Sequence, residues 1–171
     1  ELQVGTENRF MRVGLTKVED LDKPTSTWGD ITGTALTGTS DDQISVGFPL
    51  LAAEKIAVFT NGIDAIRKVE ITGDVQLLGG TPPIAKYVRA FGPYLVLGHI
   101  TTGGNTYYSR VQWCDTGDCE TWAGGNAGST DLLEDPEDIT GIGIFGNFLT
   151  VHKKTSIYLG QLVTTSDVFR F

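Results

Sequence analysis

Between residues 105 and 113 the chain alternates strictly. Tyr107, Ser109, Val111 and Trp113 fall on one face, with Tyr108, Arg110 and Gln112 on the other, which is the period of a half-exposed β-strand. Apolar runs of strand length recur at 84–91, 94–100, 139–145, 148–152, 156–163 and 167–171. Turn formers mark the breaks along this stretch: Gly73-Asp74, Gly79-Gly80 ahead of Pro82-Pro83, Gly92-Pro93, Gly103-Gly104 and Gly146-Asn147. The window closest to a helix, 50–59, has Ala52, Ala53, Glu54 and Lys55 at its centre, but it is only a turn or two long and runs straight into Thr60-Asn61-Gly62. An Asn-Gly pair between apolar segments favours a tight hairpin, so 55–60 and 63–71 are expected to pair across Asn61 and Gly62. Short strands with no long amphipathic helix between them predict an all-β, antiparallel fold of sandwich, barrel or propeller type.

A repeat narrows the choice. Phe91-Gly92-Pro93-Tyr94-Leu95-Val96-Leu97 and Phe145-Gly146-Asn147-Phe148-Leu149-Thr150-Val151 both read aromatic, glycine, turn residue, aromatic, leucine and then an alternating strand, and the second begins 54 residues after the first. A weaker copy lies at 53–59. Units of this length with four strands each are the sequence signature of propeller blades, in which every unit buries the same positions against its neighbours. The expectation is therefore an N-terminal segment of strands or extension over 1–43, followed by about three blade-type units at 44–78, 84–133 and 139–171. Closed propellers have about four to eight blades, so three imply a partial propeller or one completed by oligomerisation, with a β-sandwich as the alternative.

Composition removes several classes of function. The formal net charge is −8, with 13 Lys and Arg against 21 Asp and Glu; such a surface repels phosphate and disfavours specific nucleic-acid binding, leaving at most DNA that passes by without sticking. No apolar run approaches the roughly 20 residues of a membrane-spanning helix, so no membrane partner is expected. The first residues, Glu1-Leu2-Gln3-Val4-Gly5, lack both an initiator Met and a signal-type pattern, which reads as a processed chain or a fragment of a longer one. Cys114 and Cys119 are too few for a structural zinc site and read as free thiols or one local disulfide.

The candidate sites read chiefly as structural features. The run Trp113-Cys114-Asp115-Thr116-Gly117-Asp118-Cys119-Glu120-Thr121-Trp122 resembles the Asp-box turn of sialidase-type propellers, one residue too long and without the leading Ser. The resemblance implies a structural hairpin at Asp115 and Gly117, anchored by packing of Trp113 and Trp122. Gly124-Gly125-Asn126 lacks the helix that a phosphate-binding loop requires and is expected to be a flexible loop available for subunit contacts. Glu134-Asp135-Pro136-Glu137-Asp138 offers oxygen ligands without EF-hand spacing, so a solvated acidic loop is expected and no metal. His99 and His152, 53 residues apart, are read as related positions in successive units. No nucleophile elbow, zincin or P-loop motif occurs, and neither a catalytic residue nor a cofactor is assigned.

A longer series of segments is shared in order. It comprises Trp28-Gly29-Asp30-Ile31-Thr32-Gly33, Thr60-Asn61-Gly62-Ile63-Asp64, Leu77-Leu78-Gly79-Gly80-Thr81-Pro82-Pro83-Ile84-Ala85-Lys86-Tyr87, the two repeat copies, Ser109-Arg110-Val111-Gln112-Trp113, Gly128-Ser129-Thr130-Asp131-Leu132, Ile139-Thr140-Gly141-Ile142 and Lys153-Lys154-Thr155-Ser156-Ile157-Tyr158. This series, spanning residues 28–160, resembles virion structural proteins of tailed bacteriophages of the tail, tail-tube or nozzle type, many of them β-propellers. The chain departs from the pattern at Cys114 and Cys119, where Ser and Pro are commoner. The resemblance implies a non-enzymatic virion protein, assembled in the host cytoplasm, whose partners are further copies of itself and other tail proteins. A carbohydrate-binding or adhesin module, with Tyr107, Tyr108 and Trp122 stacking on glycan rings, is the alternative.

Overall fold

The computed structural model describes residues 1–4, 7–39, 43–163 and 168–171. The protein is all-β: the described residues contain no α-helix, every strand pairing is antiparallel, and no sheet closes on itself. Near the N-terminus β1 (Leu2–Val4) pairs with β2 (Glu7–Arg9), and β3 (Met11–Val13), β4 (Val18–Asp22) and β5 (Thr27–Asp30) form a three-stranded sheet.

Three four-stranded sheets follow. Sheet I contains β6 (Ser45–Gly47), β9 (Ala57–Thr60), β10 (Arg67–Val69) and β11 (Gln76–Leu77), in that spatial order, with a small hairpin of β7 (Leu50–Leu51) and β8 (Glu54–Lys55) between β6 and β9. Sheet II is the meander β12 (Ile84–Phe91), β13 (Tyr94–Thr102), β14 (Asn105–Trp113) and β15 (Gly128–Asp131). Sheet III is the meander β16 (Ile139–Phe145), β17 (Phe148–Lys153), β18 (Ile157–Leu162) and β19 (Phe169–Arg170). Of the strand expected at 167–171, Asp167 lies outside the described residues.

One local expectation fails for an identifiable reason. Asn61-Gly62 does not make a two-residue hairpin, although β9 and β10 do pair, with Phe59 opposite Arg67. The buried Asn61 side chain instead folds the connection into a longer loop: its Oδ1 accepts the N–H groups of Ile63 (3.1 Å) and Asp64 (2.8 Å), and its amide donates to Asp64 (2.7 Å). The backbone mimicry of Asn here serves a loop cap rather than a β-turn. The helix-like window is the hairpin β7–β8, whose two turn residues, Ala52 and Ala53, have φ of 49° and 69°.

The sheets stack as layers. Val58 and Ile56 of the sheet I region share one core with Val88, Leu95 and Leu97 of sheet II and with Ile139, Leu149 and Val151 of sheet III. β12 lies against β6 and β9 on one side and against β16 on the other. Sheets II and III approach so closely that a Cβ on Gly98 would stand 2.6 Å from Ile142 Cδ1. The opposite face of sheet I, through Ala57, Phe59 and Val69, closes on Leu2, Val18 and Ile31 of the N-terminal segment in a second core.

The β7–β8 turn carries removable strain, since a positive φ costs a non-glycine residue about 1 kcal/mol or more. Replacing Ala52 by Asn and Ala53 by Gly should raise the thermal midpoint by roughly 2 to 4 °C, as read by calorimetry; an unchanged or lower midpoint would argue against a two-residue turn of this kind.

Candidate functional site

The segment between β14 and β15 gathers most of the residues singled out in the sequence. The Asp115–Asp118 turn is closed by a bridge between those two residues and by the Gly117 N–H donating to Pro93 O (2.8 Å), which fastens it over the β12–β13 turn. The Thr116 hydroxyl and the Tyr94 hydroxyl lie 2.8 Å apart. The Asp118 carboxylate accepts the N–H of Glu120 (2.9 Å) and the hydroxyl of Thr121 (2.9 Å).

Asp115 then ties two separately predicted features into one. Its Oδ1 accepts the N–H groups of Asn126 and of Thr116, both at 2.8 Å, and the Asn126 amide returns a bond to the Thr116 hydroxyl (3.0 Å). Trp113 Nε1 donates to Asn126 O (2.9 Å), and Ala127 N–H to Gly124 O (3.1 Å). Gly124, Gly125 and Asn126 thus form a loop pinned at several points, with Gly125 lying against the Asp115 carboxylate. The Asn126 and Thr116 amides hold the Asp115 carboxyl below the usual carboxylate range.

The two tryptophans have different partners. The Trp113 ring meets Phe169 of sheet III edge-on, with centroids 5.0 Å apart. Trp122 is buried in the opposite direction, against Gly80 at the end of sheet I, where a Cβ would stand 1.5 Å from Glu120 O and 3.1 Å from the Trp122 ring. Glu120, which the sequence did not single out, completes this contact: it accepts the Gly79 N–H (2.8 Å) and the Lys68 ammonium (3.0 Å). Burial works against the charge on Lys68, yet the hydrogen bonds it donates to Glu120 and Glu70 raise its pKa above the ordinary value. The β14–β15 connection is therefore a clamp, with Trp113 reaching sheet III and Trp122 and Glu120 reaching sheet I.

Cys114 and Cys119 are both free and buried. Burial pushes their thiols up to about 11 and about 12, respectively, and Cys114 Sγ accepts the Leu95 N–H at 3.0 Å. Thiols of this kind are protonated at neutral pH and pack as small apolar groups.

The remaining candidates disperse. Counted from the turn glycines Gly92 and Gly146, His99 corresponds to Lys153, not to His152. His99 sits in β13 with φ of 56°, edge-on to Tyr108, and burial lowers its pKa; His152 meets Thr150 Oγ1 at 3.1 Å on the outer face of sheet III. In the acidic run, Asp135 accepts hydrogen bonds from Glu137 N, Thr155 and Ser156, and no three potential ligands cluster among the described residues. Lys153 is buried beneath this loop, donating to Ser109 Oγ (3.2 Å), Leu132 O (2.5 Å) and Asp135 O, and burial lowers its pKa. Of the aromatics considered for glycan stacking, Trp122 is buried, Tyr107 lies under the Arg110 guanidinium at 3.7 Å and Tyr108 is about half exposed.

Between the pinned loop and the end of sheet III lies an open groove of about 450 Å³, lined by Trp113, Gly125, Asn126, Thr130, Val168 and Phe169. Its walls are backbone, small polar groups and ring edges, which suits shape-based contact rather than bond-making chemistry. No protein-family model matches the chain, and a search of curated proteins finds no match for it.

Two outcomes follow from this geometry. Because the Asp115 carboxyl is depressed in the folded state, its contribution to stability is full above the unfolded value near 3.8 and lost as pH falls through the lower, folded value. Asp115→Asn should therefore be less stable than the parent at neutral pH, and the gap in urea midpoint should narrow as pH falls through the folded value; a gap that persists in acid would show that Asp115 acts through packing. At pH 8 the native protein should leave a disulfide reagent such as Ellman's unreacted for hours while the denatured chain releases both thiols, and prompt reaction of the native protein would contradict the burial of Cys114 and Cys119.

Proposed function

We propose that this chain is a non-enzymatic structural module of a tailed-phage virion, a tail or nozzle component in which propeller-type blades act as a rigid platform for protein–protein contacts. The observation that carries the reading is the repeated four-stranded antiparallel meander: sheets I, II and III follow one another along the chain, each layered on the last through a continuous apolar core. This is how blades stack in propellers, where each sheet buries both faces against its neighbours. The series of segments over residues 28–160 that resembles phage tail and nozzle proteins supplies the viral half of the reading.

The best-ordered candidate site supports the mechanical half. Asp115, Gly117, Trp113, Trp122 and Glu120 join three sheets, with Asp115, Gly117, Trp113 and Glu120 held by hydrogen bonds within the fold and Trp122 by burial. A clamp of this kind resists shear between layers, the property a tail component needs when load passes along the particle. Partners under this reading are other tail proteins and further copies of the chain. DNA would be a passing neighbour, which a net charge of −8 repels rather than holds.

Immunogold labelling of the particle encoded by the same genome, imaged in negative stain beside the purified chain, tests the proposal. Label confined to the tail or neck is expected. Particles without label, or a purified chain that stays monomeric and binds a glycan array, would move the assignment to the adhesin class.

A further inference from the structure

The two outer faces of the described stack of sheets differ. At the N-terminal end, the outer face of the β3–β4–β5 sheet carries the Arg12–Glu19 ion pair (2.8 Å), with the Arg12 guanidinium lying 4.5 Å from the centre of the Trp28 ring. Charge covers the aromatic there. At the other end, strand register places Phe145, Phe148, Ile157 and Leu159 together on the outer face of sheet III, with Thr150 and His152 between them. Phe145 is 75 % exposed, Ile157 61 % and Leu159 50 %. A contiguous apolar face of this sort is uncommon on a surface that meets only water.

The internal repeat indicates what such a face is built to meet. Phe145 and Phe148 occupy the places, counted from the turn glycines, that Phe91 and Tyr94 hold in sheet II. There the two rings are buried, at 7 % and 8 % exposure, because sheet III lays Phe169 over them with centroids 6.1 and 5.6 Å away. The same aromatic pair is thus closed over by a neighbouring sheet once and left open once.

We propose that the outer face of sheet III is a self-association surface, on which a second copy of this chain packs face to face about a two-fold axis. Charge selects this occupant and this arrangement. Two chains of net charge −8 repel at most orientations, yet no Asp or Glu among the described residues falls on this face by register, and its one charged side chain, Arg170, stands on the edge strand β19. Face-to-face pairing therefore removes apolar surface from water without setting carboxylates against each other. Head-to-tail pairing would press the apolar face onto Arg12, Glu19 and Asp30 and strip water from their charges, which costs more than it returns. An isologous contact also closes at two copies. The inference needs the stacked sheets but not the viral assignment: a monomer in solution would leave the particle labelling untouched, and an unlabelled particle would leave the dimer untouched.

Sedimentation velocity over about a hundredfold range of concentration is the test. The parent chain should move from monomer to dimer as concentration rises. The double variant Phe145→Glu, Leu159→Glu should stay monomeric with unchanged circular dichroism, and Trp28→Glu should dimerise like the parent. Ile157→Cys, treated with a short bismaleimide, should give a covalent dimer that Thr27→Cys does not, a readout that stands even if the double variant fails to fold. A parent chain monomeric throughout, a dimer indifferent to the double variant, or a dimer abolished by Trp28→Glu would each overturn the proposal.

Discussion

Sheet II is apolar on both faces, and that condition governs the rest of the molecule. In β13 the side chains of Leu95, Val96 and Leu97 are all fully buried, although neighbours along a strand point in opposite directions. A sheet of this kind is not stable with one side wet. Fully burying a side chain of this size is worth about 1.5 to 3 kcal/mol, so each face of β13 draws a covering layer. Sheet I supplies one through Ile56 and Val58, and sheet III supplies the other through Ile139, Leu149 and Val151. Sheet I inherits the same condition, since Ala57 and Phe59 point away from sheet II and are covered in turn by the N-terminal strands. The layering is a chain of such demands, passed from sheet to sheet until a face is finished with charge.

The clamp between β14 and β15 makes sense in that setting. Layers held only by apolar contact can slide, because burial has no direction. Directional contacts are needed to fix their offset. Trp113 and Phe169, and Glu120 and Gly79, each specify a position rather than an area. Lys153 does the same for the acidic loop by donating to carbonyls of Leu132 and Asp135. A lysine ammonium held by carbonyls rather than by a carboxylate pair is costly to bury, and its place here shows how strongly the loop is drawn onto sheet III.

The hairpins were legible in the sequence because their signals are local. Aromatic, glycine, turn residue, aromatic and leucine mark β12–β13 and β16–β17, where Gly92 and Gly146 take φ of 55° and 59°. The all-β class followed from the same pattern. The β7–β8 turn was hidden because Ala52 and Ala53 are helix formers held in a left-handed conformation by pairing on either side. Asn61 misled for the opposite reason: the residue has two turn uses, and which one operates depends on Asp64 and on the buried setting of the loop, neither of which is a property of the dipeptide. In the candidate site, Trp113, Asp115 and Gly124–Asn126 were each visible, but the bond from Asn126 N–H to Asp115 joins residues 11 apart and could not be read from either segment. Lys153 was within reach. It follows Leu149 and Val151 on the inward parity of β17, so alternation alone placed it inside.

Part of the acidic composition, which at first suggests something about partners, is taken up by turns. Asp30 holds Thr32, Asp64 holds Thr37 and Asn61, Asp115 holds Thr116 and Asn126, Asp118 holds Glu120 and Thr121, and Asp135 holds Glu137, Thr155 and Ser156. Short strands require many connections, and carboxylates that accept backbone N–H groups are a common way to fix them. A stack of small sheets therefore collects aspartates in its loops whatever it touches. On sheet III the carboxylates lie in the loop ahead of β16 rather than on the outer face, which leaves that face free to be apolar. It is this separation on sheet III that allows a chain of net charge −8 to present an apolar surface there, while the β3–β4–β5 sheet carries Arg12, Glu19 and Asp30 on its face.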